Sequence, residues 1–295
     1  MSTAPDLQAR KLYTYEIGGF RVSLDSFPFH ESEYLAAFRK ECRQVPELRL
    51  TIRDVPLLPF PTDVEIAAYG ESRCLDGSGR KLRVCRTEHT DAILYRVTEL
   101  GPGELLAEII REAAPNLGSH LILRWLDLPN HFLERDALFL HASMLRWKNR
   151  AILFSGRKQI GKSTQAELWR SHRGAEVLNG DRALLRRVNG VWTAFGSPFC
   201  GTSGICVNAQ LPVAAIVLLK QGPENRVAPA DLKMAYTAFL SGCSYDPGNW
   251  RAIERVMSLT EQIHRELPVL QLSCTPDEGA VLCLEQALKE AGIDG

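Results

Sequence analysis

A glycine-rich octapeptide in the second half of the chain has the residue types and the spacing of a phosphate-binding loop. It reads Gly156-Arg157-Lys158-Gln159-Ile160-Gly161-Lys162-Ser163 and satisfies the P-loop pattern G-x-x-x-x-G-K-[ST] without a mismatch. Glycines let a backbone wrap around a phosphate, successive N–H groups and a helix N-terminus supply positive potential, and the lysine can reach the β- and γ-phosphate oxygens. We call residues 156–163 the P-loop segment. It predicts a nucleotide-binding site that extends to Thr164.

Phosphoryl transfer also requires a carboxylate for the metal ion, which usually stands at the end of a neighbouring strand. Asp181 follows the short apolar run Val177-Leu178 and occupies such a position. We expect Asp181 and the hydroxyl group of Ser163 to hold Mg²⁺ beside ATP. The alternative is that Asp181 is an ordinary turn residue next to Gly180.

Two further features could contribute to the same site. His141 lies in the middle of a strand-like run, and an imidazole there could orient or deprotonate an acceptor. A single histidine on a strand is also common as a structural core residue. The small-residue stretch Ser197–Gly204 could bind an anion or cover a phosphate, or it could be an ordinary turn.

The elements that must position these residues can be predicted from apolar patterning. Ala137–Trp147 and Ala151–Phe154 read as apolar strands joined by a turn, and a helix over Thr164–Ser171 should end at Gly174. Further along the chain, the pattern predicts a hairpin turn at Val188-Asn189-Gly190, a strand buried on both faces at Val213–Leu219, and helices at Ala230–Leu240, Trp250–His264 and Glu278–Lys289.

The first hundred residues have a different character. Short alternating runs predict a small mixed sheet with strands at Tyr15–Leu24, Leu48–Ile52, Lys81–Arg86 and Ala92–Val97. The proline-rich stretch Pro56–Pro61 predicts a surface connection. Apolar spacing predicts helices at Gly103–Ala114 and Leu121–Leu128, which would form a hinge region. We therefore expect an N-terminal α+β domain at residues 1–125 and a nucleotide-binding domain at residues 126–295.

Composition excludes several classes of protein. The 35 basic and 35 acidic side chains cancel, so neither nucleic acid nor a membrane surface is an expected partner. No apolar run is long enough to cross a membrane and the first ten residues lack an apolar signal core, so we expect a cytoplasmic protein. The D-x-x-G and N-K-x-D motifs of a regulatory GTPase do not follow the P-loop segment. The eight cysteines form no C-x-x-C pair.

Taken together, His141, the P-loop segment, Asp181 and Ser197–Gly204 resemble the catalytic domain of HPr kinase/phosphorylase and its relatives, over about residues 137–290. The resemblance implies a mixed α/β P-loop domain of the phosphoenolpyruvate-carboxykinase-like type with a smaller N-terminal α+β domain. It also implies that His141, Lys162 and Asp181 are catalytic. Two positions depart from the family, because Gly180 replaces the first of two adjacent aspartates and Thr164 replaces an acidic residue.

These observations predict an ATP-dependent kinase that phosphorylates a Ser or Thr hydroxyl group of a protein or peptide other than HPr, with the N-terminal domain recognising the acceptor. A small-molecule hydroxyl is the rival acceptor. A nucleotide-binding regulatory protein without catalysis is the rival function, and it is suggested by Gly180. An oligomer is compatible with each of these three functions.

Overall fold

This mixed α/β chain consists mainly of strands in its first half, and of helices and strands in similar proportion in its second half. The computed structural model describes residues 10–41, 44–58, 65–69, 72–77, 80–86, 93–112, 118–119 and 128–293. The chain divides into two units, Met1–Leu128 and Pro129–Gly295. In the described part of the chain, no helix is both long and apolar enough to cross a membrane.

The first unit contains a mixed sheet and a short helix, α1 (Glu33–Ala36). Its strands are β1 (Lys11–Ile17), β2 (Phe20–Ser26), β3 (Leu48–Val55), β4 (Glu65–Tyr69), β5 (Ser72–Gly77), β6 (Arg80–Arg86), β7 (Ile93–Gly101) and β8 (Glu104–Ile110). They lie in the order β1-β2-β3-β8-β7-β6-β5-β4. Strand β3 runs parallel to both of its neighbours, and the other pairs are antiparallel. The predicted mixed sheet is confirmed and is larger than the sequence indicated.

Two details of the first unit differ from the predictions. The run Tyr15–Leu24 is not one strand, because Gly18 and Gly19 both adopt positive φ and form the turn between β1 and β2. The predicted helix at Gly103–Ala114 is wrong, since most of it is the strand β8. Leu105 and Ile109 fit the spacing of a helix as well as the two-residue period of a strand. The segment forms a strand because it pairs with β3 on one edge and with β7 on the other.

Two other predictions fall wholly or partly outside the described residues. The predicted helix at Leu121–Leu128 lies outside them except for its last residue. Residues 59–61 of the proline-rich stretch also lie outside. Its described beginning follows β3. Leu57 is 73% exposed, as expected for a surface connection, whereas Leu58 is buried.

The second unit combines five helices with eight strands among its described residues. Its helices are α2 (Leu128–Leu133), which starts at the boundary residue, α3 (Lys162–Arg173), α4 (Leu232–Gly242), α5 (Trp250–Glu266) and α6 (Glu278–Glu290). Its strands are β9 (Leu138–Trp147), β10 (Arg150–Ser155), β11 (Glu176–Asn179), β12 (Arg182–Val188), β13 (Val191–Phe195), β14 (Gln210–Gln221), β15 (Arg226–Pro229) and β16 (Val269–Cys274). The strands, the hairpin turn and the helices predicted for this half of the chain are confirmed.

The sheet of the second unit is organised around β9. The strand order is β10-β9-β12-β13-β14-β16-β15, and β10 also pairs with β14, so that five of the strands close into a ring. Along one edge, β9 pairs first with β12 and then with β11. Strands β11 and β12 therefore form one antiparallel run along β9, and Gly180-Asp181 links them at the centre of that run.

Helices cover both faces of this sheet. Helices α3 and α6 bury side chains such as Trp169 and Leu284 on one face, and α4 and α5 bury Phe239 and Val256 on the other. Strand β14 lies between these layers and is almost fully buried along Val213–Leu219, which explains its continuous apolar sequence.

Trp169 fixes α3 against the sheet. Its side chain is fully buried, and its ring lies 5.2 Å from that of Trp147 and 6.3 Å from that of Phe154. Replacing Trp169 with Ala should lower the free energy of unfolding by about 3–5 kcal/mol, because it leaves a cavity beneath α3. Trp250 is 62% exposed, so Trp250→Ala should change the free energy of unfolding by no more than about 0.5 kcal/mol. Urea denaturation followed by circular dichroism measures both, and equal losses would contradict this account of the core.

Candidate active site

The P-loop segment connects the end of β10 to the start of α3. Gly156, Gln159 and Gly161 adopt positive φ values of 151°, 66° and 113°. A side chain at position 156 would also place its Cβ 3.0 Å from Cγ2 of Ile160, which packs inward beneath the loop. The two glycines of the motif are therefore required by backbone conformation, and by close packing at the first of them.

The loop presents hydrogen-bond donors at the N-terminus of α3. Within the described chain, no acceptor pairs with the backbone N–H groups of Gly161, Lys162 and Ser163. Gly161 is the N-cap of α3 and provides no side-chain cap. A helix N-terminus with free N–H groups carries partial positive charge and suits a phosphate.

Lys162 is held beneath the same loop. Its side chain is buried, and Nζ donates hydrogen bonds to the carbonyl oxygens of Gly156 at 3.0 Å and Arg157 at 3.2 Å. Burial lowers the pKa of Lys162 below its ordinary value, the negative charge of Asp181 opposes this, and the positive charge of Arg182 adds to it. The ammonium group therefore lies within electrostatic range of both residues that follow Gly180.

His141 and Asp181 form a pair at the centre of the β9 run. Nε2 of His141 lies 3.1 Å from Oδ1 of Asp181, and the backbone N–H of Ala142 donates to the Asp181 carbonyl oxygen at 2.8 Å. The hydrogen bond from His141 is the main cause that holds the pKa of Asp181 below its ordinary value, and Arg182 and Lys162 lower it further against the effect of burial. The three residues expected to be catalytic are thus close together.

Asn179 orients the chain that carries Asp181. Its buried side-chain Oδ1 accepts hydrogen bonds from the backbone N–H groups of Asp181 and Arg182, at 3.0 and 2.7 Å. Its Nδ2 donates to the carbonyl oxygens of Ser197 and Phe199, at 2.9 and 3.4 Å. No motif in the sequence marks this residue. A polar side chain at the end of an apolar strand and two residues before a candidate metal ligand was the available signal.

The small-residue stretch Ser197–Gly204 lies directly against the site. A Cβ on Gly180 would be 1.9 Å from Oγ of Ser203, and a Cβ on Gly201 would be 2.8 Å from Cγ of Asp181. The Ser203 hydroxyl donates to the Cys200 carbonyl oxygen at 2.6 Å and accepts from the N–H of Ile205 at 3.2 Å. The space beside the Gly180 backbone is therefore occupied by the Ser203 side chain.

Arg182 also lies at this site, and no motif in the sequence marks it. It begins β12, stands opposite His141 in register, and donates from Nη1 to the hydroxyl group of Ser244. Its position immediately after a candidate metal ligand was the only signal, and a basic residue at the start of a strand is common.

The predicted metal ligands are compatible with Mg²⁺ but not with a metal ion enclosed by protein. Ser163 lies in the exposed first turn of α3, as does Thr164, and no hydrogen bond joins Ser163 to Asp181. Among the described residues there is no cluster of three His, Cys, Asp or Glu side chains that could hold a metal ion. Mg²⁺ commonly uses one or two protein oxygens and completes its shell with phosphate and water, so one hydroxyl and one carboxylate fit it.

The chain matches no protein-family model and no curated protein. Among solved structures, it resembles the Hpr(Ser) kinase/phosphatase from Coxiella burnetii at 15% sequence identity and a TM-score of 0.30. That match covers 52% of this chain and 90% of the other.

Replacing Gly180 with Ala should destabilise the protein by about 1–3 kcal/mol, because the new methyl group overlaps the Ser203 side chain. In a Ser203→Gly background the same replacement should cost much less, since the obstructing side chain is gone. Urea denaturation of the two single variants and the double variant measures the coupling. If the losses of stability in the two single variants simply add in the double variant, position 180 does not contact Ser203.

Asp181 should make the stability of the protein depend on pH in the acidic range. Its pKa is lowered in the folded protein, so the ionised carboxylate stabilises the fold above the ordinary value of 3.8, and this contribution disappears as the pH falls through the lower folded value. The native protein should be more stable than Asp181→Asn at pH 7, and the difference should shrink below about pH 4. Urea denaturation of both proteins from pH 7 to pH 3 tests this, and a constant difference would refute it.

Proposed function

We propose that the protein is an ATP-dependent kinase that transfers the γ-phosphate to a Ser or Thr hydroxyl group of a protein or peptide other than HPr. The observation that carries this proposal is the convergence of three features: free N–H groups at the start of α3, the buried Lys162, and the Asp181–His141 pair. Phosphoryl transfer depends mainly on positioning and on stabilising negative charge, and these groups are suited to both.

Each part of the site has a distinct role in this proposal. The N–H groups of the P-loop segment cradle the α- and β-phosphates, and the ammonium group of Lys162 reaches the β- and γ-phosphates. Ser163 and Asp181 hold Mg²⁺, which neutralises charge on the phosphate oxygens when it is bound. His141 lies beside the acceptor hydroxyl group, and Asn179 and the Ser197–Gly204 stretch fix the position of Asp181.

The proton of the acceptor is taken up by the His141–Asp181 pair. The hydroxyl oxygen forms a bond to the γ-phosphorus as the bond from that phosphorus to the β,γ-bridging oxygen breaks, and ADP leaves. The hydroxyl proton passes to His141. Because the lowered pKa of Asp181 keeps its carboxylate negative, the pair stabilises the imidazolium that results.

A protein or peptide acceptor is supported by the surface beside the site. Ile205 and Val207 directly follow the Ser197–Gly204 stretch, and their side chains are 37% and 39% exposed. Exposed apolar side chains next to a site suit contact with another chain better than contact with a small polar metabolite. The rival regulatory function is supported by Gly180, since Ser203 occupies the space in which a side chain at position 180 would lie.

Replacing Lys162 with Ala should reduce phosphate transfer at least about a hundredfold, because it removes the buried cation that holds the terminal phosphates. The assay follows γ-labelled phosphate from Mg-ATP into an extract of the source cells, with proteins and small molecules resolved separately. The matched control is Lys233→Ala, which removes an exposed lysine on α4.

Label on a protein that depends on Lys162 would support the proposed kinase. Label confined to small molecules would identify the rival acceptor class. Retained transfer by the Lys162→Ala protein would refute the assignment. Nucleotide binding without any transfer would favour the regulatory function.

A further inference from the structure

Arg182 has hydrogen-bonding capacity that the protein does not use. Its guanidinium group donates from Nη1 to Ser244, and its Nε lies 3.7 Å from Oδ2 of Asp181, too far for a hydrogen bond. Among the described residues, no acceptor pairs with Nη2. The side chain is 34% exposed, so these donors are partly shielded from water and still accessible from outside.

The position of Arg182 directs it to the reacting end of the site. It stands directly opposite His141 in the antiparallel pairing of β12 and β9, and opposed residues project from the same face of a sheet. Ser244 is itself fixed beside β9, because its backbone N–H donates to the Phe139 carbonyl oxygen at 2.9 Å. The guanidinium group is therefore held next to the His141–Asp181 pair.

The site also has more positive than negative charge. Lys162 and Arg182 act on each other as like charges, and Asp181 is the only carboxylate among the described residues that acts on Lys162. Two cations beside one carboxylate leave a net positive charge, which favours the binding of a further anion. The P-loop segment opens beside this same cluster of charges.

We propose that Arg182 binds the γ-phosphate of the nucleotide and makes the site selective for triphosphates over diphosphates. This inference rests on the proposed function, since it requires a nucleotide in the P-loop segment. The N–H groups of such a loop cradle the α- and β-phosphates, which leaves the terminal phosphate facing His141 and Arg182. A planar guanidinium group can contact two phosphate oxygens at once, and Ser244 acts as its positioning residue.

The experiment compares two ligands rather than activity. Isothermal titration calorimetry in the presence of Mg²⁺ measures the affinity of ADP and of β,γ-imido-ATP, which is not hydrolysed. Arg182→Gln should weaken the triphosphate analogue about tenfold or more and ADP less than about twofold, because only the analogue carries the group that Arg182 binds. Arg182→Lys should lose less of this selectivity. Arg265→Gln, which removes an arginine that is 72% exposed on α5, should leave both affinities unchanged.

The outcomes separate this inference from the proposed function. If the native protein binds neither ligand, both are refuted. If it binds both ligands and Arg182→Gln weakens them equally, or weakens neither, the role of Arg182 alone is refuted. Circular dichroism shows whether Arg182→Gln is folded. If it is not, Arg182→Lys carries the test, and equal weakening of the two ligands in that variant overturns the inference.

Discussion

The buried side-chain amide of Asn179 holds the candidate active site together. Its oxygen accepts two backbone N–H groups from the chain that carries Asp181 and Arg182, and its nitrogen donates to two carbonyl groups of the Ser197–Gly204 stretch. A buried amide is stable only when these bonds are made, so the four contacts support one another. Asn179 therefore links the positions of Asp181, Arg182 and the Ser197–Gly204 stretch.

The charges around Asn179 follow from the same arrangement. The desolvation cost of burying Lys162 is offset by two hydrogen bonds to carbonyl oxygens of its own loop and by the nearby carboxylate of Asp181. Asp181 in turn has a hydrogen-bonded imidazole on one side and two cations within range. The carboxylate therefore remains ionised, and the surrounding protein holds a local excess of positive charge.

Much of the second unit could be predicted from the sequence because its signals are local. The P-loop segment, the turn at Asn189-Gly190 and the apolar strand β14 each depend on residues that are close together in the chain. By contrast, the spacing in β8 fits a helix and a strand equally well, and only its two neighbouring strands decide between them.

The rest of the site depends on contacts between distant residues, and no local pattern predicts them. Gly180 looked in the sequence like the loss of a carboxylate. The structure adds a steric reason for glycine, which is the side chain of Ser203 in the adjacent space. The use of Arg182 likewise depends on its pairing opposite His141, a relation that appears only when β12 is placed against β9.

This pairing has a consequence for how the protein tolerates change. The alignment of His141 with Arg182 is set by main-chain hydrogen bonds between two strands, which do not depend on the identity of the neighbouring side chains. Apolar residues of β9 can therefore drift between similar volumes over evolutionary time while the alignment persists. A single inserted or deleted residue in β9 would instead turn every following side chain to the opposite face. Related chains should accordingly vary in the composition of this strand and keep its length.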